Sequence, residues 1–153
     1  MAGIYRQNGS MDTTNSFEML LDKARTLGIR LTPQRMELLR ALVETTKHPT
    51  ADDLYRHVRR TLPSVTPATI HRNLQELVGA GLIATLERTG SPTQYDPTVD
   101  EHHHFVCRGC GRIFDVYLSH SDYEIDRRKS ELGDASIDRF EVQFNGTCSD
   151  CLT

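Results

Sequence analysis

The 153-residue chain has no apolar stretch long enough to cross a bilayer, which takes about 20 predominantly apolar residues in a row. Its first residues, Met1-Ala2-Gly3-Ile4-Tyr5-Arg6-Gln7, lack the apolar core of a secretory signal. The expectation is a cytoplasmic protein without a membrane partner, whose cysteines remain thiols. Cysteine itself is scarce: there are four, with no fifth companion. Positive charge is also lacking, since the net charge is −3, which at first argues against a nucleic-acid partner. Dividing the chain at Gly90 changes that reading. Residues 1–90 hold 12 Lys/Arg against 9 Asp/Glu, whereas residues 91–153 hold 6 against 12. A basic module is joined to an acidic one.

The four cysteines form two Cys-x-x-Cys pairs, Cys107/Cys110 and Cys148/Cys151, with 37 residues between them. Four thiolates in two knuckles can close a tetrahedron around one zinc ion, and such a site contributes folding energy directly. The long spacing means that the knuckles come from distant segments that fold together. Two disulfides fit poorly with a reducing compartment. A redox-active pair fits poorly with a motif that occurs twice and outside a βαβ pattern.

Residues 1–13 are polar and aperiodic and read as a flexible arm. Helical periodicity then begins: Phe17, Leu20, Leu21, Ala24 and Leu27 share one face, and Gly28 ends the run. Thr32-Pro33 opens a second helix with Met36, Leu39, Leu42 and Val43 as its apolar face, because Thr caps free amides and Pro suits the first helical position. Thr50 opens a third, carrying Leu54, Tyr55, Val58 and Leu62. Thr66-Pro67 opens a fourth, carrying Ile70, Leu74, Leu77 and Val78, and Gly79 and Gly81 end it. Residues 82–88 and 93–96 read as two strands around a turn. Short helices followed by a β-hairpin define a winged helix-turn-helix domain, expected over residues 14–97. The outward face of the fourth helix holds Thr69, His71, Arg72 and Gln75, side chains able to read a DNA major groove.

Residues 98–153 read as a small α/β domain. Strands are expected over 105–107, 112–116 and 137–144, with a charged helix over 119–132. So few elements bury little by themselves, and a second copy completing the sheet is the expected remedy, giving a homodimer. The fold class is therefore α+β, with a winged helix followed by a dimerisation domain built on a four-cysteine zinc site. In an extended segment, residues two apart face the same way, so His102 and His104 can converge on one metal while His103 points elsewhere. With Asp96 and Asp115 they make a nitrogen and oxygen donor set suited to iron, manganese or zinc. The same set could activate water as a zinc hydrolase does, but no general base or substrate pocket is readable.

Four segments together resemble the ferric uptake regulator family: Gly28-Ile29-Arg30-Leu31-Thr32-Pro33-Gln34-Arg35, His48-Pro49-Thr50-Ala51-Asp52-Asp53-Leu54-Tyr55, Ala68-Thr69-Ile70-His71-Arg72-Asn73-Leu74, and His102 through Gly111. The likeness spans about residues 17–151 and is greatest to the peroxide-sensing branch. It implies a structural Zn(II) on Cys107, Cys110, Cys148 and Cys151. It also implies a regulatory Fe(II) or Mn(II) on Asp96, His102, His104 and Asp115, and contacts to double-stranded operator DNA from Arg30, Thr66, Thr69, His71, Arg72 and Gln75. A further metal-binding histidine is expected from the family directly after Thr-Pro-Gln-Arg, where this chain has Met36, a poor ligand for a hard divalent ion. The expectation is therefore a four-ligand site completed by water, or a site rearranged to recruit Glu101, His103 or Glu37. A third family site would use Glu101, His103 and Asp122, although its late histidine falls at Phe140. The implied function is a metal-dependent transcriptional repressor, not an enzyme, that responds to peroxide. Its rivals are control by iron or zinc supply and a thiol redox switch.

Overall fold

A computed structural model describes residues 13–45, 48–88, 90–97, 102–119, 125–126, 128–137 and 140–152. Most of the arm read over residues 1–13 lies outside these residues, and Thr13 already begins the first helix. The chain divides into two compact units, Met1–Val99 and Asp100–Thr153.

The first unit contains α1 (Thr13–Thr26), α2 (Pro33–Glu44), α3 (Ala51–Thr61) and α4 (Pro67–Gly79), followed by β1 (Ala84–Leu86) and β2 (Gln94–Asp96). Local chemistry sets the boundaries. Thr32, Thr50 and Thr66 are extended N-cap residues whose hydroxyls accept from the backbone N–H three residues on. At Thr50 the cap is reciprocal, because the Asp53 carboxylate accepts from the Thr50 N–H. Gly28 and Gly81 end α1 and α4 at φ 69° and 72°, a backbone conformation costly for any residue with a Cβ. Both ends make paired C-terminal bonds: Ile29 N–H donates to Ala24 O and Gly28 N–H to Arg25 O, and Leu82 N–H donates to Leu77 O and Gly81 N–H to Val78 O.

The helices enclose a core of Leu20, Leu38, Leu39, Leu42, Leu54, Val58, Ile70, Leu74, Leu77 and Leu82. Each such buried side chain contributes on the order of 1.5–3 kcal/mol relative to exposure. Two sequence expectations fail here. Met36 is 37% exposed and Leu27 44% exposed, so neither belongs to this core. In α2 the buried set is Leu38, Leu39, Ala41 and Leu42, a stripe shifted away from the Met36 register. Spacing alone admits both registers, because apolar residues crowd this helix.

The wing is antiparallel, with Ala84 opposite Asp96 and Leu86 opposite Gln94. It is shorter than expected because Leu82 and Ile83 turn into the helical core before β1 begins. The segment before α3 is stitched to it: Tyr95 N–H donates to Pro49 O at 2.9 Å, and Gln94 Nε2 donates to His48 O at 2.7 Å.

The second unit is a three-stranded sheet in the order β4-β3-β5, with β3 at His103–Cys107, β4 at Ile113–Val116 and β5 at Gln143–Gly146. Strand β4 is antiparallel to β3, and β5 is parallel to it. The third strand therefore starts later than the expected 137–144 and runs into the second knuckle. The helix expected over 119–132 is not formed at its described residues: 125–126 are irregular and 128–132 lie in turns, while 120–124 and 127 lie outside the described set. Among the described residues no helix is long and apolar enough to cross a membrane.

Candidate metal centres and nucleic-acid interface

Hydrogen bonding across the sheet brings the two knuckles together. Cys107 closes β3 opposite Gly146, the last residue of β5, so Cys148 follows two residues after that pairing. The four sulfurs all lie within 4.8 Å of one another. Zinc–sulfur bonds of about 2.3 Å in a tetrahedron require sulfurs about 3.8 Å apart. Cys110 Sγ and Cys148 Sγ are 3.7 Å apart, the spacing that a shared zinc ion needs. Gly109 belongs to the fit as well, because a Cβ there would come 3.1 Å from both Cβ and Sγ of Cys151.

The thiols are unequally prepared for deprotonation. Backbone N–H groups of Cys110 and then Cys148 bring Cys107 down to about 6. The Arg112 guanidinium lowers Cys110, donating from Nε to its sulfur at 3.3 Å. Arg112 also donates to Cys148 Sγ at 3.6 Å and is clamped by the Asp150 carboxylate. Cys151 is pushed up to about 12, chiefly by hydrogen bonding with Cys148. A divalent cation reverses that preference, since a coordinating thiol is deprotonated outright.

The histidine run obeys strand alternation. The His102 and His104 rings meet edge to face with centroids 4.9 Å apart, and His103 instead lies 5.1 Å from the Phe140 ring. His102 Nε2 is 3.7 Å from Asp115 Oδ1, with the His102 side chain 6% exposed. Asp115 is there because β4 pairs with β3 in the register that sets it opposite His104. His102, His104 and Asp115 thus form one cluster in the second unit. His103 is buried but committed to the sheet: Val142 N–H donates to its Nδ1 at 3.2 Å, leaving only Nε2 for any other partner. Glu101 and Asp122 lie outside the described residues.

In the first unit, Asp96 is buried at the end of the wing, and a ligand atom of His48 lies within 4.8 Å of its carboxylate. In the sequence, His48-Pro49 reads only as the end of α2, and the missing nitrogen donor is sought around Met36. Met36 is instead exposed on α2, while the hydrogen bonds from Gln94 and Tyr95 carry His48 to the wing. The available signal is a histidine directly preceding the Pro49-Thr50 helix start. Glu37, another replacement considered, lies 3.8 Å from Arg40 within α2.

On α4, His71, Arg72 and Gln75 are exposed and Thr69 is half-buried. Thr66 caps the helix, its hydroxyl 2.9 Å from that of Thr69. Arg30 is exposed, and its carbonyl accepts from Arg35 Nη1 at 3.0 Å. Asn73, polar and next to Arg72, is buried: its Nδ2 donates to Thr69 O and its Oδ1 accepts from Arg35 Nε. It anchors α4 to Arg35 of α2.

A winged helix followed by a small sheet with a four-cysteine cluster and a histidine-carboxylate cluster defines a metal-responsive transcription regulator. The family model for the ferric uptake regulator family matches residues 26–142. The chain belongs to that family, whose members are transcriptional regulators and not enzymes. It is 31% identical over 137 residues to the peroxide-responsive repressor PerR of Staphylococcus aureus strain Mu50, covering 90% of this chain and 92% of that protein. The Campylobacter jejuni peroxide stress regulator superposes with a TM-score of 0.63 at 29% identity, covering 88% of this chain and 97% of its own. The Helicobacter pylori ferric uptake regulator shares the fold, with a TM-score of 0.68 at 20% identity and coverage of 94% and 95%.

Proposed function

We propose that the protein is a homodimeric, metal-gated repressor that binds operator DNA and releases it on exposure to peroxide. The observation that carries this reading is that Asp96, at the end of the wing, and His48, in the segment bonded to the wing, have ligand atoms within 4.8 Å of each other in the DNA-binding unit. Ligands rooted there make metal occupancy felt by the helix that enters the groove. His48 and Asp96 from the first unit, and His102, His104 and Asp115 from the second, are the proposed ligands. Their imidazole and carboxylate donors suit Fe(II) or Mn(II), whereas the all-sulfur cluster of Cys107, Cys110, Cys148 and Cys151 suits Zn(II). Zinc is structural in this reading and holds the ends of β3 and β5 together.

Arg30, Thr66, Thr69, His71, Arg72 and Gln75 are the proposed DNA contacts. Arg72 and Gln75 are suited to base edges, and Thr66, Thr69 and Arg30 to phosphates. Dimerisation is assigned to the second unit. Phe114, Phe105 and Phe144 stand in register across its three strands, and Phe114 and Phe144 are each 37% exposed. An apolar row across a small sheet is what a second copy would cover.

Metal binding gates DNA affinity by favouring the DNA-competent arrangement of the dimer. A tenfold effect requires a preference of only about 1.4 kcal/mol. Bound Fe(II) would supply one-electron chemistry toward peroxide, and the imidazole rings of His48, His102 and His104 are the oxidisable side chains in the proposed set. Peroxide treatment of the Fe(II)-loaded protein, followed by peptide mass analysis, is expected to find one added oxygen on His48, His102 or His104. Unmodified histidines together with DNA release governed only by metal concentration would assign the protein to metal-supply control. Zinc loss with disulfide formation at low peroxide would assign it to thiol switching.

A further inference from the structure

Glu141 lies outside every ligand set considered above, yet it faces the histidine run. Its Oε1 is 3.1 Å from Nδ1 of His104, whose side chain is 7% exposed while that of Glu141 is 50% exposed. The contact is built into the sheet, because the chain entering β5 is paired with β3 through both neighbouring histidines. His104 N–H donates to Val142 O at 3.2 Å, and Val142 N–H donates to His103 Nδ1 at 3.2 Å. These bonds fix the backbone beside Glu141 and direct its carboxylate to the His104 ring.

An ionised carboxylate only accepts, so the proton of this contact belongs to His104 Nδ1. In the neutral ring that places the lone pair on Nε2. A histidine that binds a metal through one nitrogen characteristically gives its other N–H to a carboxylate or carbonyl, which fixes the tautomer and raises the basicity of the ligand. We propose that Glu141 is the positioning residue for His104: it holds the ring in the Nδ1–H form with Nε2 directed to the regulatory divalent cation, and it adds negative charge behind the ligand. This rests on the assignment of His104 as a ligand of that cation. His103 illustrates the opposite arrangement, with Nδ1 already accepting a backbone proton.

The test is Mn(II) titration, followed by electron paramagnetic resonance, of zinc-containing full-length protein and its Glu141→Ala, Glu141→Gln and His104→Ala variants. Zinc content and thermal stability serve as folding controls. Loss of an outer-shell partner of this kind weakens metal binding about 10–100-fold. Glu141→Ala is expected in that range and Glu141→Gln, which keeps a neutral acceptor, between it and the parent. His104→Ala is expected to lose more than either. Glu141→Ala binding within about twofold of the parent, while His104→Ala binds far more weakly, would overturn the role of Glu141 and leave the ligand assignment standing. Undiminished binding by His104→Ala would overturn the ligand assignment itself. Nitrogen chemical shifts of His104 in metal-free parent protein give a readout that needs no variant: the Nδ1–H tautomer supports the proposal and the Nε2–H tautomer refutes it.

Discussion

Replacing Arg35 tests how the DNA-reading helix is held. The Arg35 side chain is 17% exposed and joins α2 to α4 through one guanidinium. Nε donates to Asn73 Oδ1 at 3.0 Å, Nη1 to Arg30 O at 3.0 Å, and Nη2 pairs with the Glu76 carboxylate. The three bonds are unequal. Glu76 is 51% exposed, so its ion pair contributes about 0–1 kcal/mol. Asn73 is buried, and Arg35→Ala leaves its carbonyl without this donor, at a cost of about 1–3 kcal/mol. With about 0.5–1.5 kcal/mol for the bond to Arg30 O, the expected total is about 1.5–5.5 kcal/mol, against at most about 1 kcal/mol for Glu76→Gln. For a unit of this size, each kcal/mol moves the midpoint by about 4–8 °C, so Arg35→Ala should melt about 6 °C or more below the parent. Thermal unfolding followed by circular dichroism at the helical band is the assay, since α1 to α4 all belong to the first unit. Arg35→Lys keeps the charge without the planar fork and should recover little. Equal melting of Arg35→Ala and Glu76→Gln would refute the claim that Asn73 is the important partner.

Other perturbations reach different parts of the structure. Gly146→Ala sets a Cβ 2.9 Å from Phe105 Cε2, so overpacking should cost about 1–3 kcal/mol and speed zinc loss to a chelator, read by thermal melting and a zinc-sensitive dye. Thr50→Ala removes the α3 cap at about 1 kcal/mol. The Thr50 hydroxyl holds the Asp53 carboxyl below its ordinary value of 3.8, so that stabilisation is present above the ordinary value and lost as pH falls through the folded one. The stability gap between parent and Thr50→Ala should therefore be constant near neutrality and narrow in acid; a gap that widens in acid would contradict it. His48→Ala should weaken Mn(II) binding at least about tenfold, a loss of about 1.4 kcal/mol, and Met36→Ala should leave it unchanged, as read by calorimetry.

Helix starts and stops are legible in the sequence because capping chemistry is local: Thr32, Thr50, Thr66, Gly28 and Gly81 each act within about one turn. The cysteine cluster is legible because two identical knuckles need one another. Alternation also correctly separates His102 and His104 from His103. Three features escape. The α2 register is ambiguous because Met36 and Leu38 both continue an apolar stripe, and only packing decides between them. His48 is hidden because a side-chain bond to its carbonyl from a residue 46 positions away brings it to the wing. Glu141 is hidden for a similar reason, since its contact with His104 spans 37 positions and depends on parallel pairing of β5 with β3.

The central claim is that a regulatory cation sets DNA affinity through ligands on the wing and on the segment bonded to it. Its most direct test is fluorescence anisotropy with a duplex that the protein itself selects from a randomised pool in Mn(II). Binding should be at least about tenfold tighter in Mn(II) than in chelator that leaves zinc in place, a difference of about 1.4 kcal/mol. That difference should vanish in His48→Ala. Equal affinity of the parent protein with Mn(II) and with chelator would contradict metal gating.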